Sequence, residues 1–299
     1  MKTLFSLTTR NIKLFFKDKG MLFTSLITPI ILLILYITFL GKIYTDSFAS
    51  NVPEGVNIAS KLIDGTVAVE LVSSLLAVSC ITVAFCSNLI MVQDKANGIY
   101  KDFLVAPVNS STIFLAYFLG TFLTTLIVSF ITLGLGFIYI AVAGWYFNFV
   151  DILLIITDCI LLTLFGTALS SIINMNLKTN GQGTAVGTVV SAGYGFICGA
   201  YMPLSQFGEG LQNVLSLLPS TYGTSLIRNH FMRGVTREMR VNNFPSEVID
   251  GIMSSVDCNL KFFGTKVTMF GLYMVLILSI VVIIGGILLI AKLRRKHNC

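Results

Sequence analysis

Charge is scarce in this 299-residue chain. Only 11% of its residues are Asp, Glu, Lys or Arg, and the mean hydropathy is +0.86. Soluble domains carry about 25% charged residues, so an ordinary water-facing surface is excluded. Histidine occurs twice, as His230 and His297, and both read as loop residues far apart. The six cysteines show no CxxC pair and no Cys/His spacing of metal type, so no metal site is expected. Cys80, Cys86, Cys159 and Cys198 fall inside apolar stretches as small packing residues. Cys258 and Cys299 fall on opposite sides in the topology derived below, which leaves no disulfide framework. GxxxxGK[ST], GxGxxG, HExxH and GxSxG are all missing. With two histidines in loops, no Ser/His/Asp arrangement is suggested either. No catalytic residue is therefore assigned, and the chain is read as a non-enzyme with no cofactor of its own. No basic run interleaves with aromatics, which argues against a nucleic-acid partner.

What the sequence has is long apolar runs. Six of them, near 21–40, 66–92, 113–143, 149–173, 183–201 and 267–291, are each long enough to cross a bilayer. A span needs about 20 apolar residues. In hydrocarbon the backbone must satisfy its own hydrogen bonds, which helices do within one segment. The expected fold is one all-α, polytopic membrane domain covering residues 1–299, embedded in membrane lipid. The first run follows Lys2, Arg10, Lys13, Lys17 and Lys19 and has no small-residue cleavage site behind it, so it reads as a span and not as a signal peptide.

Six spans put both termini on one side. Assigning that side to the cytoplasm collects Lys2, Arg10, Lys13, Lys17, Lys19, Lys95, Lys101, Lys178, Lys292, Arg294, Arg295 and Lys296 inside, against Asp18, Asp94 and Asp102. The remainder of the chain then has 8 basic and 11 acidic residues. This is the positive-inside pattern, with Arg228, Arg233, Arg237 and Arg240 as exceptions in the long segment where the rule is weakest.

Residues 2–18 read as an amphipathic helix in the inner interface. Lys2, Ser6, Arg10, Lys13 and Lys17 share one face; Leu4, Leu7, Ile12, Phe15 and Phe16 share the other. Pro29 places a kink in span 1, and a short polar external loop follows over 41–65. Between spans 2 and 3 stands QDKANGIYKDFLVAPVNSS. Here 99–105 is long enough for a two-turn helix, begun after Gly98 and stopped by Pro107, with Tyr100, Phe103 and Leu104 exposed as a docking knob. Span 3 is about 46 Å long at 1.5 Å per residue, and Gly134 and Gly136 are the expected bend.

Span 5 carries Gly183, Gly187, Ser191, Gly195 and Gly199 at every fourth residue, a stripe for close helix packing. After it, Pro203 and Pro219 bracket a short apolar segment, 211–218, expected to dip into the outer leaflet and return. Residues 228–266 then read as an external polar excursion. Three carboxylates fall within spans: Glu70 and Asp151 toward the outer edge, and Asp158 about 13 Å deep. No Lys, Arg or His lies inside a span to neutralise Asp158. It reads either as a contact to a cationic or hydroxylated solute or a proton site, or as a protonated residue bonded to hydroxyls such as Thr157 or Thr163.

In order and in frame, these segments resemble ABC-2 type permeases. RNIKLFFKDK resembles their amphipathic elbow. The 2–3 loop resembles their coupling element, with Gly98, Asp102 and Ala106-Pro107-Val108 in place. GAYMPLSQFGEGLQNVLSLLPSTYGTSLIRNHFMRG resembles their external re-entrant segment, with Gly199, Pro203, Pro219 and Arg228 in place. The resemblance implies a bacterial inner-membrane exporter subunit, paired with a second permease copy and with cytoplasmic ATP-binding subunits that carry ATP and Mg. It implies that Lys95, Gly98, Tyr100, Lys101, Asp102, Phe103 and Pro107 contact the ATPase, that spans 2 and 5 line the path at a dimer seam, and that drugs, antibiotic peptides or lipid-linked glycans are cargo classes. Many relatives have a glutamate-rich lead where Asp94-Lys95-Ala96-Asn97 stands. Two competing readings are a proton- or ion-coupled secondary transporter using Asp158, and a non-transporting sensor or immunity subunit.

Overall fold

The computed structural model describes residues 1–35, Thr38 and residues 60–297. Among these residues the chain is helical apart from one small hairpin. Helix α1 is Lys2–Lys17 and α2 is Lys19–Leu35, with Pro29 inside it. Then come α3 (Ser60–Ala96), α4 (Ile99–Val105), α5 (Ser110–Ala143), α6 (Phe149–Asn174) and α7 (Asn180–Ile197). A 3-10 turn at Leu204–Gln206 leads to α8 (Glu209–Leu215), α9 (Pro219–Val241) and α10 (Ser246–Ser255). Strands β1 (Lys261–Phe262) and β2 (Thr265–Lys266) pair before α11 (Met269–His297).

Four described helices, α3, α5, α6 and α11, are long and apolar enough to cross a membrane. The apolar run at 21–40 lies partly outside the described residues, as does most of the expected loop at 41–65. The loop's described end is already helix, since α3 starts at Ser60. The fifth run is an 18-residue helix that ends at Ile197, before its expected limit.

Helix α3 is the axis of the bundle. At 37 residues it is about 55 Å long. From Val67 to Val92 nearly every side chain is buried, against α2, α5, α6, α7 and α9 of the same chain. A helix apolar all round belongs in a core. Its polar residues are mostly small ones that return hydrogen bonds to their own helix: Ser73 to Glu70 O, Ser79 to Leu75 O and Thr82 to Val78 O. Helix α6 can approach because Gly166 faces it; a Cβ there would meet Cys80 O at 2.7 Å. Helix α5 runs unbroken through Gly134 and Gly136. Gly136 admits Val72 of α3, while Gly134 faces open space.

The segment after α7 departs most from expectation. Residues 219–241 form a 23-residue helix, mostly buried, where a polar loop was expected from 228 onward. Helix α9 runs antiparallel to α6: Gly223 packs at Leu162, His230 meets Asp158, and Arg237 meets Asp151. Leu162 is 13 residues along α6, so the Pro219 end lies about 20 Å in from that helix's start. A short turn joins α8 to α9. The turning point sits at Leu215–Thr221, where Thr221 Oγ1 donates to Leu215 O at 2.8 Å. Proline at the first helical position suits this start, because its missing N–H would have had no partner.

Candidate functional site

One end of the bundle carries α1 and the short helix α4. Helix α4 has the predicted limits and no buried residue. It is set off from α3 by Gly98, whose φ of 83° is a left-handed conformation that glycine adopts without strain. At its other end, Ala106 is extended ahead of Pro107, as a residue before proline prefers. The exposed face differs from the expected one. Tyr100 and Phe103 turn inward, and Lys101, Asp102, Leu104 and Val105 point out. Val105 is 89% exposed and Leu104 49%.

Tyr100 and Phe103 turn inward because each finds a cation. The Arg10 guanidinium sits 5.3 Å from the Phe103 ring centre, and the Lys95 ammonium 5.8 Å from that of Tyr100. Arg10 also grips Asp94 with two bonds, 2.6 Å and 3.0 Å, and Tyr117 donates to Asp94 at 2.6 Å. The bond to Asp94 is the main cause holding the Arg10 guanidinium above its ordinary pKa. Lys95 donates to Met175 O at 2.9 Å and Asn174 O at 3.2 Å, the carbonyl end of α6, where a cation is favoured. The expected coupling residue Lys95 is thus built into the bundle. One small node joins the middle of α1 to α4, to the first turns of α5 and to the ends of α3 and α6.

Helix α1 is amphipathic, and the side it buries in the bundle is Thr8, Asn11 and Phe15, with Leu4, Leu7, Ile12 and Phe16 half-buried. Phe15 is fully buried. Asn11 Nδ2 donates to Ala116 O at 3.2 Å, and Gly120 leaves room for Asn11. Lys2, Lys13 and Lys17 remain exposed, with Phe5 beside them.

The three carboxylates in spans are all buried, and α9 answers each one. Arg228, fully buried, lies 2.9 Å from Glu70 and 3.5 Å from Asp257. It donates to Ser74 Oγ at 2.8 Å, Gly199 O at 2.6 Å and Val256 O at 3.2 Å. Asp257 in turn accepts from the backbone N–H groups of Leu204 and Ser205. Burial raises the Asp257 carboxyl pKa, and Arg228 and those N–H groups oppose the rise. Gly199, Pro203 and Arg228 therefore belong to one knot around a guanidinium. Asp158 is bonded by His230 Nδ1 and by Tyr273 Oη, the latter at 2.9 Å. Asp151 holds Arg237 at 3.0 Å, caps α6 through Asn148 N at 2.9 Å, and lies 3.4 Å from Arg233.

Two expectations are corrected here. His230 is a buried helical residue, not a loop residue. Asp158 does have a side-chain partner, His230, delivered by a helix that the polar reading of 228–266 hid. The sequence carried a signal for this: Asp151 and Asp158 are seven apart, and so are His230 and Arg237, the spacing of one face on each of two antiparallel helices. Thr157 bonds its own helix at Leu153 O and takes no part.

The glycine stripe divides. Gly183 faces Leu89 and Val92 of α3, and Gly195 is covered by Tyr201, whose hydroxyl donates to Ser191 O at 3.3 Å. Gly187 faces open space, and Gly199 lies past the helix with φ 73°. Thr184, Thr188 and Val189 are exposed around Gly187. The expectation that span 2 lines a seam between copies meets a helix enclosed within one chain; span 5 keeps an open face.

The sequence matches the family model described as ABC-2 type transporter over residues 2–232. No curated protein and no solved structure matches the chain.

Proposed function

We propose a function that proceeds from one fact: the chain belongs to the ABC-2 type transporter family. It is the permease subunit of an ATP-driven exporter, working with a second permease copy and with separate cytoplasmic subunits that bind ATP and Mg. It sits in a bacterial inner membrane with six spans, both termini inside, and α1 as the interfacial elbow. Its cargo is a drug, an antibiotic peptide, a lipid-linked glycan or a similar solute.

The observation that carries this reading is α4. It is a two-turn helix with an outward face of Leu104, Val105, Lys101 and Asp102, tied by Phe103 to Arg10 in α1 and by Tyr100 to Lys95 at the end of α3. Exposed apolar residues beside charged ones at the polar end of a membrane bundle suit a protein partner. A push on α4 reaches α1 through Arg10 and α6 through Lys95. The open face of α7 around Gly187 and Ser191 supplies the path or the contact with the second copy. Glu70, Asp151 and Asp158 hold α9 in the bundle and do not meet cargo.

The test is ATP hydrolysis by the permease complexed with its ABC-type ATP-binding subunit. Leu104→Asp and Val105→Asp should remove permease-dependent hydrolysis while membrane insertion and gel-filtration behaviour stay intact. Unchanged hydrolysis in both variants refutes the assignment of α4. The His230–Asp158 pair favours one other reading, a proton-coupled carrier. Transport that survives vanadate but stops when the pH gradient is collapsed would establish that reading instead.

A further inference from the structure

The hairpin before α11 breaks two local rules in six residues. Its sequence is KFFGTK, with Lys261 paired to Lys266 and Phe262 to Thr265. Like charges directly opposite each other weaken a strand pair. The two-residue turn has φ of 46° at Phe263 and 84° at Gly264. Such turns want Asn-Gly or Asp-Gly, and a bulky aromatic at positive φ is strained. All six residues are exposed, and neither lysine has an ion-pair partner among the described residues. The Phe262 and Phe263 rings pack only edge-to-face on each other, 4.9 Å apart, and Phe263 is 59% exposed. A two-stranded hairpin is marginal even with favourable residues. Local choices that oppose the local fold point to a partner outside the chain.

Position says what that partner is. Only Val267 and Thr268 separate Lys266 from Met269, the start of a helix of spanning length, so the tip lies within roughly 20 Å of where that helix begins. Phe270 and Met274 on the first turns of α11 are strongly exposed, an apolar surface beginning beside the hairpin. Aromatic side chains with cations beside them suit the boundary between headgroups and acyl chains. We propose that the β1–β2 tip is a lipid-surface anchor, with Phe262 and Phe263 at that boundary and Lys261 and Lys266 on anionic phosphate headgroups. The anchor is tied to the bundle. Val267 N donates to Leu260 O at 2.9 Å, and Asp257, three residues before Leu260, is held in the Arg228 knot.

The chain has one tryptophan, so Trp145→Phe with Phe263→Trp makes the tip the only indole. In liposomes of phosphatidylglycerol, its emission should shift to the blue and be quenched by lipids spin-labelled near the headgroup, more strongly than in phosphatidylcholine. Quenching by aqueous iodide with none from lipid overturns the proposal. So does an indole shielded from both quenchers, which points to a protein partner such as a second copy. Wild-type protein gives an independent reading. Hydrogen exchange over residues 258–268 should be slower in phosphatidylglycerol nanodiscs than in phosphatidylcholine ones, and Lys261→Gln with Lys266→Gln should erase the difference. Equal exchange of the wild type in both lipids overturns the anionic half of the claim.

Discussion

Replacing Arg228 with methionine removes the centre of the buried charge network at little change in volume. Two carboxylates, Glu70 and Asp257, lose the guanidinium at 2.9 Å and 3.5 Å, and the carbonyls of Gly199 and Val256 lose their donors. Removing one partner of a buried pair costs about 3–5 kcal/mol, because the charge left behind is uncompensated. In a domain of 150–250 residues each kcal/mol moves Tm by about 2–4 °C, so a fall of roughly 6–20 °C is expected. Arg228→Lys keeps the charge but offers three donors in place of five, and should fall between. Arg228→Met combined with Glu70→Met and Asp257→Asn should recover much of the loss, since neutral replacements of a buried network are often tolerated. The assay is fluorescence-detected gel filtration of heated protein. If Arg228→Met lies within about 1 kcal/mol of wild type, or the triple variant is worse than the single, Arg228 is not compensating buried charge.

Other outcomes follow from the same packing. Gly166→Ala drives a methyl into Cys80 O and should cost about 1–3 kcal/mol, while Gly187→Ala, facing open space inside a helix, should not lower Tm in the isolated protein. Tyr273→Phe removes one of two partners of buried Asp158 and should cost about 1–3 kcal/mol; His230→Gln should cost at least as much, both read by the same heating assay. Arg10→Met frees α1 from Asp94, so trypsin should cut after Lys13 and Lys17 faster than in wild type, with no change at exposed Lys261.

The helical membrane character was legible because apolar runs of spanning length have no competing explanation. Limits of α4 were legible for a local reason: Gly98 and Pro107 fix the backbone on either side of seven residues. Helix α9 was not. Its Ser, Thr, Gly, His and Arg residues read as loop, and the carboxylates and hydroxyls that make burying them tolerable come from other segments, chiefly the distant α3 and α6 together with Asp257. The same blindness left Asp158 unpartnered in sequence and put Tyr100 on the wrong face of α4, since the ring of Tyr117 on α5, 6.4 Å from that of Tyr100, is met only through tertiary packing. The stripe on α7 showed where a close approach is allowed. It did not show that Tyr201, from beyond the helix, takes one of those places.

Cross-linking tests the central claim, that α4 receives the force of a separate ATPase, most directly. The described cysteines are buried, so with Cys299→Ser a cysteine at position 105 is the accessible thiol among the described residues and its replacement. In inverted vesicles carrying the assembled complex, Val105→Cys should cross-link to the ATP-binding subunit with a yield that changes when ATP and vanadate are added. Val142→Cys, equally exposed at the other end of α5, should not cross-link. Cross-links from position 142, or none from 105 in a complex that hydrolyses ATP, would contradict the account.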